Sequence, residues 1–359
     1  MTRPFRAAVA AIVLVVVQLS APRASTESLP ARLSDAEYWQ LIEDFSEPNG
    51  FFQSDNLVSN EKAYQLAVPA LKLLKRGGVY LGVAPDQNFT YILGVEPAMA
   101  FIVDIRRGNL HEHLMYKALF ELSADRAEFL SYLFSRPRPA GPATAQASDL
   151  IEKVRVSTPD PELYKTHFKA IVDLLTKKHG FKLTPDDLTG IDYVYGMFFR
   201  FGPDLTYSSS TFNNGRGGNN RPSWGELQST LGPTGDNLSY MGSEANFRAI
   251  KTFEEKNLLV PIVGNFAGTK ALRTVGKYVR DHGATIAAFY VSNVEQYLFM
   301  DGLAQAFYDN LATMPIDANT VFIRSARTLD VLDPIQAFLK DLAEGKIRSY
   351  TEVTARGGH

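Results

Sequence analysis

The stretch over residues 77–107, GGVYLGVAPDQNFTYILGVEPAMAFIVDIRR, constrains the fold of this chain more than any other. Residues 79–83 form a short apolar run punctuated by glycine, which suits a buried parallel strand. The turn Ala-Pro-Asp at 84–86 follows, and its aspartate is placed to cap a helix over about residues 87–93. A second apolar run at 99–105 predicts another strand. The order strand, loop, helix, strand predicts one unit of a doubly wound α/β fold.

Two residues of this stretch are candidates for binding a nucleoside. Asp104 lies near the end of the second predicted strand, where a doubly wound fold commonly places the acid that hydrogen-bonds a ribose. The first loop offers Gly82, but Ala84 and Pro85 stand where a dinucleotide fingerprint has further glycines. A nucleoside without a diphosphate, such as S-adenosylmethionine, therefore fits this loop better than NAD or FAD. The alternative is that Asp104 caps a loop and Gly82 makes a turn.

The last third of the chain also alternates strands with helices. Apolar runs that begin near residues 258, 285 and 320 predict three more strands, which gives about five in all. Strands that alternate with helices predict a parallel sheet, whose ligands bind beyond the carboxyl ends of the strands. Asn265 and Asn293 each follow such a strand, so we expect them to share a crevice with Gly82 and Asp104. Loop capping is the alternative role for both asparagines.

The remaining segments organise the chain around this sheet. Helices are predicted over about residues 33–47, with Ser34 as N-cap, over 60–76, and over 108–134, where Ser123 is expected to cap the second of two helices. Another helix is predicted from residue 294 to about 311. The predicted divisions are an N-terminal half at 33–134, a Pro/Ala-rich linker at 135–147, a helical insertion with a long polar loop at 148–238, and a C-terminal half at 239–359.

Two further features have more than one interpretation. Phe51, Phe52, Asn56 and Ser59 lie in a segment that could cover a ligand, although a surface loop is the simpler interpretation. The polar loop at 203–238 is either a lid or a disordered segment.

The first 24 residues resemble an export signal. Arg3 and Arg6 precede an uncharged apolar run over residues 7–21, which is the layout of a secretory signal peptide. About 15 apolar residues reach roughly 22 Å, less than the roughly 30 Å of a bilayer core, which favours cleavage over a permanent anchor. We therefore expect an exported protein, periplasmic or secreted. An uncleaved N-terminal membrane anchor is the alternative.

Composition limits the partners of this chain. Its 359 residues carry a net charge of -2, which favours neither nucleic acid nor a strongly acidic partner. There is no cysteine, which excludes disulfides, thiolate nucleophiles and cysteine-ligated metals. His111 and His113 are two residues apart, so on a helix they would point about 200 degrees from each other and would not hold one metal ion. We expect a small-molecule ligand and no metal.

Three segments together carry a resemblance to a known family. GVYLGVAPDQNFTYI, FIVDIRR and VPIVGNFAGTKALRTVGKYVRDHGATIAAFYVSNVEQYLF resemble a family of uncharacterised bacterial proteins that is similar in layout to the class I S-adenosylmethionine-dependent methyltransferases. The resemblance implies a Rossmann-like, mainly parallel sheet flanked by helices. It also implies S-adenosylmethionine as the cofactor. The cofactor-binding residues it implies are Gly82, Ala84, Asp104, Arg106, Gly264 and Asn265.

The sequence leaves three functions open. The first is a methyltransferase-like enzyme in which Asp104 binds ribose and no catalytic residue is identified. The second is an exported small-ligand-binding protein, or a pseudoenzyme that keeps the crevice without catalysis. The third, a hydrolase using His111 or His282 with a serine, lacks a GxSxG elbow.

Overall fold

One six-stranded sheet lies at the centre of the structure, a computed structural model that describes residues 28–207, 209, 221–326 and 329–356. The strands are β1 (Val79–Gly82), β2 (Met99–Asp104), β3 (Leu259–Val263), β4 (Ile286–Ser292), β5 (Val321–Ala326) and β6 (Leu329–Pro334). Their order across the sheet is β3-β2-β1-β4-β5-β6. The first five are parallel, and β6 is antiparallel to β5. The chain reverses direction across the sheet between β1 and β4, which is the topological switch point of a doubly wound fold.

Helices cover the sheet, as expected for a parallel sheet whose strands are apolar on both sides. In chain order they are α1 (Asp35–Phe45), α2 (Val68–Leu71), α3 (Gln87–Val95), α4 (Arg107–Leu122), α5 (Arg126–Phe134), α6 (Ala147–Val156), α7 (Pro161–Asp173), α8 (Pro185–Phe201), α9 (Trp224–Ser229), α10 (Glu244–Glu255), α11 (Ala271–Asp281), α12 (Val294–Met300), α13 (Ala304–Ala312), α14 (Ile335–Ala343) and α15 (Tyr350–Ala355).

The prediction of an α/β protein with a mostly parallel sheet flanked by helices is confirmed, and this architecture is compatible with a Rossmann-like fold. All residues of β1 and β2 are buried. Helix α4 packs on β2 and β3, and α11 also packs on β2. Ser34 forms the predicted N-cap of α1 through a capping box with Glu37.

The helices between residues 147 and 201 pack on other helices of the fold, chiefly α4 and α5. Helix α8 contacts α4 and α5, and α6 contacts α5. The aromatic run on α8 belongs to the core, with Ile191, Tyr195 and Phe198 all buried. This packing brings Asp187, near the start of α8, against the first turns of α4.

Several predicted elements differ from the structure. The helix predicted over residues 60–76 is a 3-10 turn, Tyr64–Ala67, followed by the single-turn α2, which has Pro69 in its first turn. Ser123 is not an N-cap: its hydroxyl donates to Leu119 O at the end of α4, and Asp125 caps α5 instead. The helix predicted from 294 to about 311 is divided into α12 and α13 at Gly302, which has a φ of 70°.

The prediction of about five strands is wrong by one, because β6 was not recognised. It follows β5 after a short connection and pairs with it along its whole length, from Val321 with Pro334 to Ala326 with Leu329. Buried ion pairs link this edge to the rest of the fold: Arg324 on β5 donates to Glu295 on α12 and to Asp333 on β6. Arg356, just after α15, also donates to Asp333.

Among the residues that the structure describes, no helix is long and apolar enough to cross a membrane. The predicted signal or anchor at residues 1–24 lies outside the described residues, as does most of the polar loop between 208 and 220. The described part of that loop contains a helix that the sequence did not predict. Helix α9 lies there, with the Trp224 side chain completely buried.

Candidate functional site

A crevice runs along the carboxyl ends of β1 to β4 and consists of three adjoining hollows. The first hollow, of about 140 Å³, lies over the ends of all four strands. The second hollow, of about 120 Å³, borders it on the β4 side, and the third, of about 550 Å³, borders it towards α8. Phe52 lines all three hollows. Together they reach the size of a small-molecule site, which is commonly 300 to 1,000 Å³.

The first hollow brings together most of the predicted site residues. It is lined by Ala84, Asp104, Arg106, Gly264 and Asn265, and also by Asn293. They converge because parallel strands end at one edge of the sheet and the loops after β1, β2, β3 and β4 all face that edge. Whether these residues bind a cofactor stays a prediction.

Asp104 lies at the floor of the first hollow, already paired with Arg106. Arg106 Nε donates to Asp104 Oδ1 at 3.0 Å, and Arg106 Nη2 donates to Oδ2 at 2.9 Å. The backbone N–H of Arg106 also donates to Oδ1, at 2.9 Å. Asp104 is only 4% exposed. The carboxylate is fixed in place, and a ligand would share its oxygens with the guanidinium.

Gly82 does not line the crevice. Its Cα faces the side chain of Asn88, on α3, which a methyl group at residue 82 would approach to 2.0 Å. Asn88 Nδ2 donates to Val83 O and Pro85 O, at 2.9 and 2.7 Å, so it ties the loop after β1 to α3. The glycine is needed for this packing, which a sequence fingerprint does not distinguish from ligand contact.

The loop after β3 is stabilised by a residue from another part of the chain. The Glu47 carboxylate accepts from the backbone N–H groups of Asn265, Lys270 and Ala271, at 2.9 to 3.0 Å. Gly264 is needed there because a methyl at its Cα would lie 2.3 Å from Ala271 Cβ. The Glu47 side chain therefore occupies the N-terminus of α11. The first hollow is lined instead by residues of the loop after β3.

Three non-glycine residues with positive φ border the crevice. They are Asn56 at 49°, Ala84 at 63° and Ser292 at 48°. Asparagine tolerates this conformation, whereas alanine and serine adopt it at a cost of about 1 kcal/mol or more. Ala84 follows β1 by two residues and Ser292 ends β4, and these are the two strands that flank the switch point. Backbone strain of this kind is concentrated at functional sites in many proteins.

The segment before β1 forms one wall of the crevice. Phe51 and Phe52 line the first hollow together with Tyr297 of α12. The rings of Phe52 and Tyr297 meet edge to face, with centroids 4.9 Å apart. Phe51 is 80% exposed. This segment therefore supplies aromatic surface to the crevice, and whether it covers a ligand stays a prediction.

Glu61 organises the second hollow, and sequence reasoning missed it. Its carboxylate accepts from Gln87 Nε2 at 2.8 Å, from Tyr290 OH at 2.9 Å and from Ser292 Oγ at 2.6 Å. Ser325 also hydrogen-bonds it. Burial raises the pKa of Glu61. Its partners are far apart in the chain, so no local pattern could have indicated this role.

Asp86 has a different role from the predicted helix cap. Its Oδ2 accepts from Trp224 Nε1, Gln228 Nε2 and Tyr240 OH, at 2.7 to 3.0 Å. Its side chain makes no capping hydrogen bond to α3. Burial raises the pKa of Asp86 to about 6. It therefore anchors α9, and Tyr240 beyond it, to the loop after β1.

The two histidines on α4 point to different partners, as their spacing predicts. His111 Nε2 lies 2.8 Å from Asp187 Oδ1, and His113 Nε2 lies 3.0 Å from Ala84 O. Burial lowers the pKa of His113 to about 4. Over the described part of the chain, no group of three or more metal-ligating side chains converges on one point.

The crevice can bind a small molecule through amide, hydroxyl and carboxylate groups beside aromatic rings. A separate cleft of about 410 Å³ lies at the opposite edge of the sheet, beside Gly78 and Ile286, near the amino ends of β1 and β4. Ligands of open parallel sheets bind at the carboxyl edge, so the crevice is the candidate functional site.

Comparison with known proteins places the chain in a family. No curated protein matches it. The family model described as "Domain of unknown function (DUF7790)" matches residues 56–173 and 226–339. The matched residues include all strands of the sheet and leave out α8 and the first part of the polar loop, up to residue 225. They cover more than half of the chain, and the protein therefore belongs to the DUF7790 family.

Proposed function

We propose that this protein binds a nucleoside of the S-adenosylmethionine class in the crevice and is methyltransferase-like. The observation that carries the proposal is the position of Asp104, at the carboxyl end of β2, facing a hollow that also contains Ala84 at the end of β1. In doubly wound folds this acidic position accepts hydrogen bonds from ribose hydroxyls. The family resemblance of the sequence supports the same ligand.

The residues of the first hollow fit such a ligand in chemical type. Asp104 offers carboxylate oxygens for hydroxyl groups, and Asn56 offers an Oδ1 that has no hydrogen-bond partner among the described residues. Phe52 and Tyr297 offer aromatic surface for a base. S-adenosylmethionine, when bound, supplies an electrophilic methyl group. The chain's own contribution is to hold and orient the nucleoside and to shield it from water.

The loop after β1 also fits a nucleoside better than a dinucleotide. Ala84 carries a methyl group at a backbone position with positive φ. The Asn88 side-chain amide donates hydrogen bonds to carbonyl groups of this loop. A diphosphate needs close approach to free backbone N–H groups, which glycines permit. A nucleoside without a diphosphate has no such requirement.

A second candidate is an exported small-ligand-binding protein or pseudoenzyme on the same scaffold. The observation that favours it is the pairing of both Asp104 oxygens with Arg106, which leaves less acceptor capacity for a ribose. The expected export signal favours it too, because S-adenosylmethionine is made in the cytosol. The two candidates differ in the ligand and in catalysis, and they share the crevice.

Calorimetric titration of the full chain with S-adenosylmethionine and S-adenosylhomocysteine tests the proposal. We expect saturable binding of both, weakened about 10- to 100-fold by Asp104→Asn, because one charge-assisted hydrogen bond is lost. Asn319→Ala, an exposed position in the opposite cleft, is the matched control and should bind as the wild type does. Absence of binding at millimolar ligand would contradict the proposal and favour the second candidate.

A further inference from the structure

The second hollow has the features of a ligand position in its own right. We propose that it binds a neutral, hydroxyl-bearing group of a small molecule, such as part of a sugar or another polyol. The proposal goes beyond the nucleoside, because it concerns Gln87 and Glu61, which do not line the first hollow.

Two amide oxygens at this hollow lack hydrogen-bond partners among the described residues. Gln87 is 1% exposed, and its Oε1 has no hydrogen-bond partner among the residues described. The orientation of its amide is fixed, because Nε2 donates to the Glu61 carboxylate at 2.8 Å and a carboxylate accepts only. Asn56 Oδ1 is likewise buried and unpartnered within the described ranges. Both residues line the second hollow.

Unpartnered buried acceptors indicate that the ligand donates hydrogen bonds. A buried carbonyl oxygen without a partner costs about 1 to 3 kcal/mol, and native proteins rarely leave one unmatched. Amide oxygens only accept, so a hydroxyl or amino group is the complementary chemistry. Gln87, on α3, and Asn56, in the segment before β1, both line the second hollow, which is where such a donor would bind.

The charges around the hollow select a neutral donor. Glu61 repels an anion, and Arg221, which is also in the lining, repels a cation. Glu61 cannot offer an ammonium group a good site, because its four lone-pair positions already meet Gln87, Tyr290, Ser292 and Ser325. The Arg221 guanidinium lies over the Tyr207 ring, 4.4 Å from its centroid. A hydroxyl group meets neither difficulty.

Three small probes that differ in charge test this inference. Glycerol, protonated ethanolamine and glycolate would be titrated separately into the full chain without nucleoside, with ligand-observed NMR as the readout. We expect glycerol to bind most tightly of the three. Gln87→Met and Asn56→Gly should each weaken glycerol binding about 3- to 10-fold, the effect of one neutral hydrogen bond.

Matched variants separate ligand contact from loss of fold. Asn56→Gly removes the oxygen and keeps a backbone that tolerates the φ of 49°. It decides the outcome if Gln87→Met does not fold, as judged by near-UV circular dichroism. Asn319→Ala in the opposite cleft should leave glycerol binding unchanged.

Three outcomes would overturn the inference: no saturable glycerol binding, tighter binding of either charged probe, or equal glycerol affinity in both hollow variants and the wild type. Asn56 lines both hollows, so the Gln87 variant is the one that separates this inference from the proposed function. Failure of S-adenosylhomocysteine to bind, together with glycerol binding that depends on Gln87, would refute the nucleoside proposal alone. The reverse result would refute this inference alone.

Discussion

Gly82 Cα and the side chain of Asn88 are in direct contact, which leaves no room for a methyl group between them. Asn88 Oδ1 accepts from Tyr80 OH at 2.7 Å, and its amide nitrogen donates to carbonyl groups of the loop after β1. Asn88 is completely buried. The contact therefore sets the path of the chain from β1 into α3, and with it the position of Ala84 in the crevice.

Replacement of Gly82 by alanine should destabilise the protein. The new methyl group would lie 2.0 Å from Asn88 Oδ1 and would force this network apart. We expect the free energy of unfolding to fall by about 1 to 3 kcal/mol, as in other overpacked cores. Urea denaturation followed by circular dichroism measures it.

Gly108→Ala is the matched control for that substitution. Gly108 lies in the first turn of α4, and a methyl group there meets nothing within 4 Å. It should leave the stability unchanged or raise it by up to about 1 kcal/mol, because alanine is the better helix former. Equal effects of the two substitutions would contradict the role given to Asn88.

Loss of Asp104 should destabilise the fold as well as the site. Asp104→Ala would leave the buried Arg106 guanidinium without its carboxylate, and an unpaired buried charge costs about 3 to 5 kcal/mol. Thermal and urea unfolding measure the loss. We expect the double variant Asp104→Leu with Arg106→Leu to be less destabilised than the sum of the single variants. Strict additivity would show that the pair does not interact.

Ala84→Gly should stabilise the protein although it removes a methyl group. Ala84 has a φ of 63°, which costs an alanine about 1 to 2 kcal/mol more than a glycine. Glycine also has more conformational entropy than alanine in the unfolded chain, which offsets part of this gain. We therefore expect the free energy of unfolding to rise by about 0.5 to 1 kcal/mol. Ala100→Gly, in the middle of β2, should lower the free energy of unfolding instead. A loss of stability in Ala84→Gly would disprove the strain.

Glu254 should make the protein less stable as pH rises. Burial raises the pKa of Glu254 from 4.5 to about 8, and both of its side-chain oxygens lack hydrogen-bond partners among the described residues. Between these two values the unfolded chain releases the proton first, so the free energy of unfolding falls with increasing pH. The carboxyl contributes a decrease of a few kcal/mol, roughly 1.4 per pKa unit.

Glu254→Gln tests this dependence because glutamine does not titrate. The stability of the variant relative to the wild type should rise between about pH 4.5 and pH 8 and then level off. Urea midpoints at several pH values give the difference. Glu255→Gln, at the exposed neighbouring position, controls for the change in net charge. A difference that is constant with pH would show that Glu254 is not buried as described.

Much of the architecture was readable because it depends on local patterns. The apolar runs at β1 and β2 with a glycine-rich border predict buried strands, and Ser34 as an N-cap predicts the start of α1. Strands that alternate with helices predict a parallel sheet, and a parallel sheet brings its loops to one edge. The sequence alone therefore determined that Asp104, Asn265 and Asn293 lie near each other.

Tertiary contacts decided the chemistry of that edge. Three of the questions that the sequence left open depend on groups that come together only in the fold. Gly82 faces Asn88 and not a ligand, and Asp104 is held by Arg106. Asp86 accepts a hydrogen bond from Trp224 and does not cap a helix. Glu61 meets Tyr290, which is 229 residues away in the chain. Hydrogen bonds are short-ranged and directional, so the partner of a polar side chain is set by three-dimensional proximity, which sequence spacing does not encode.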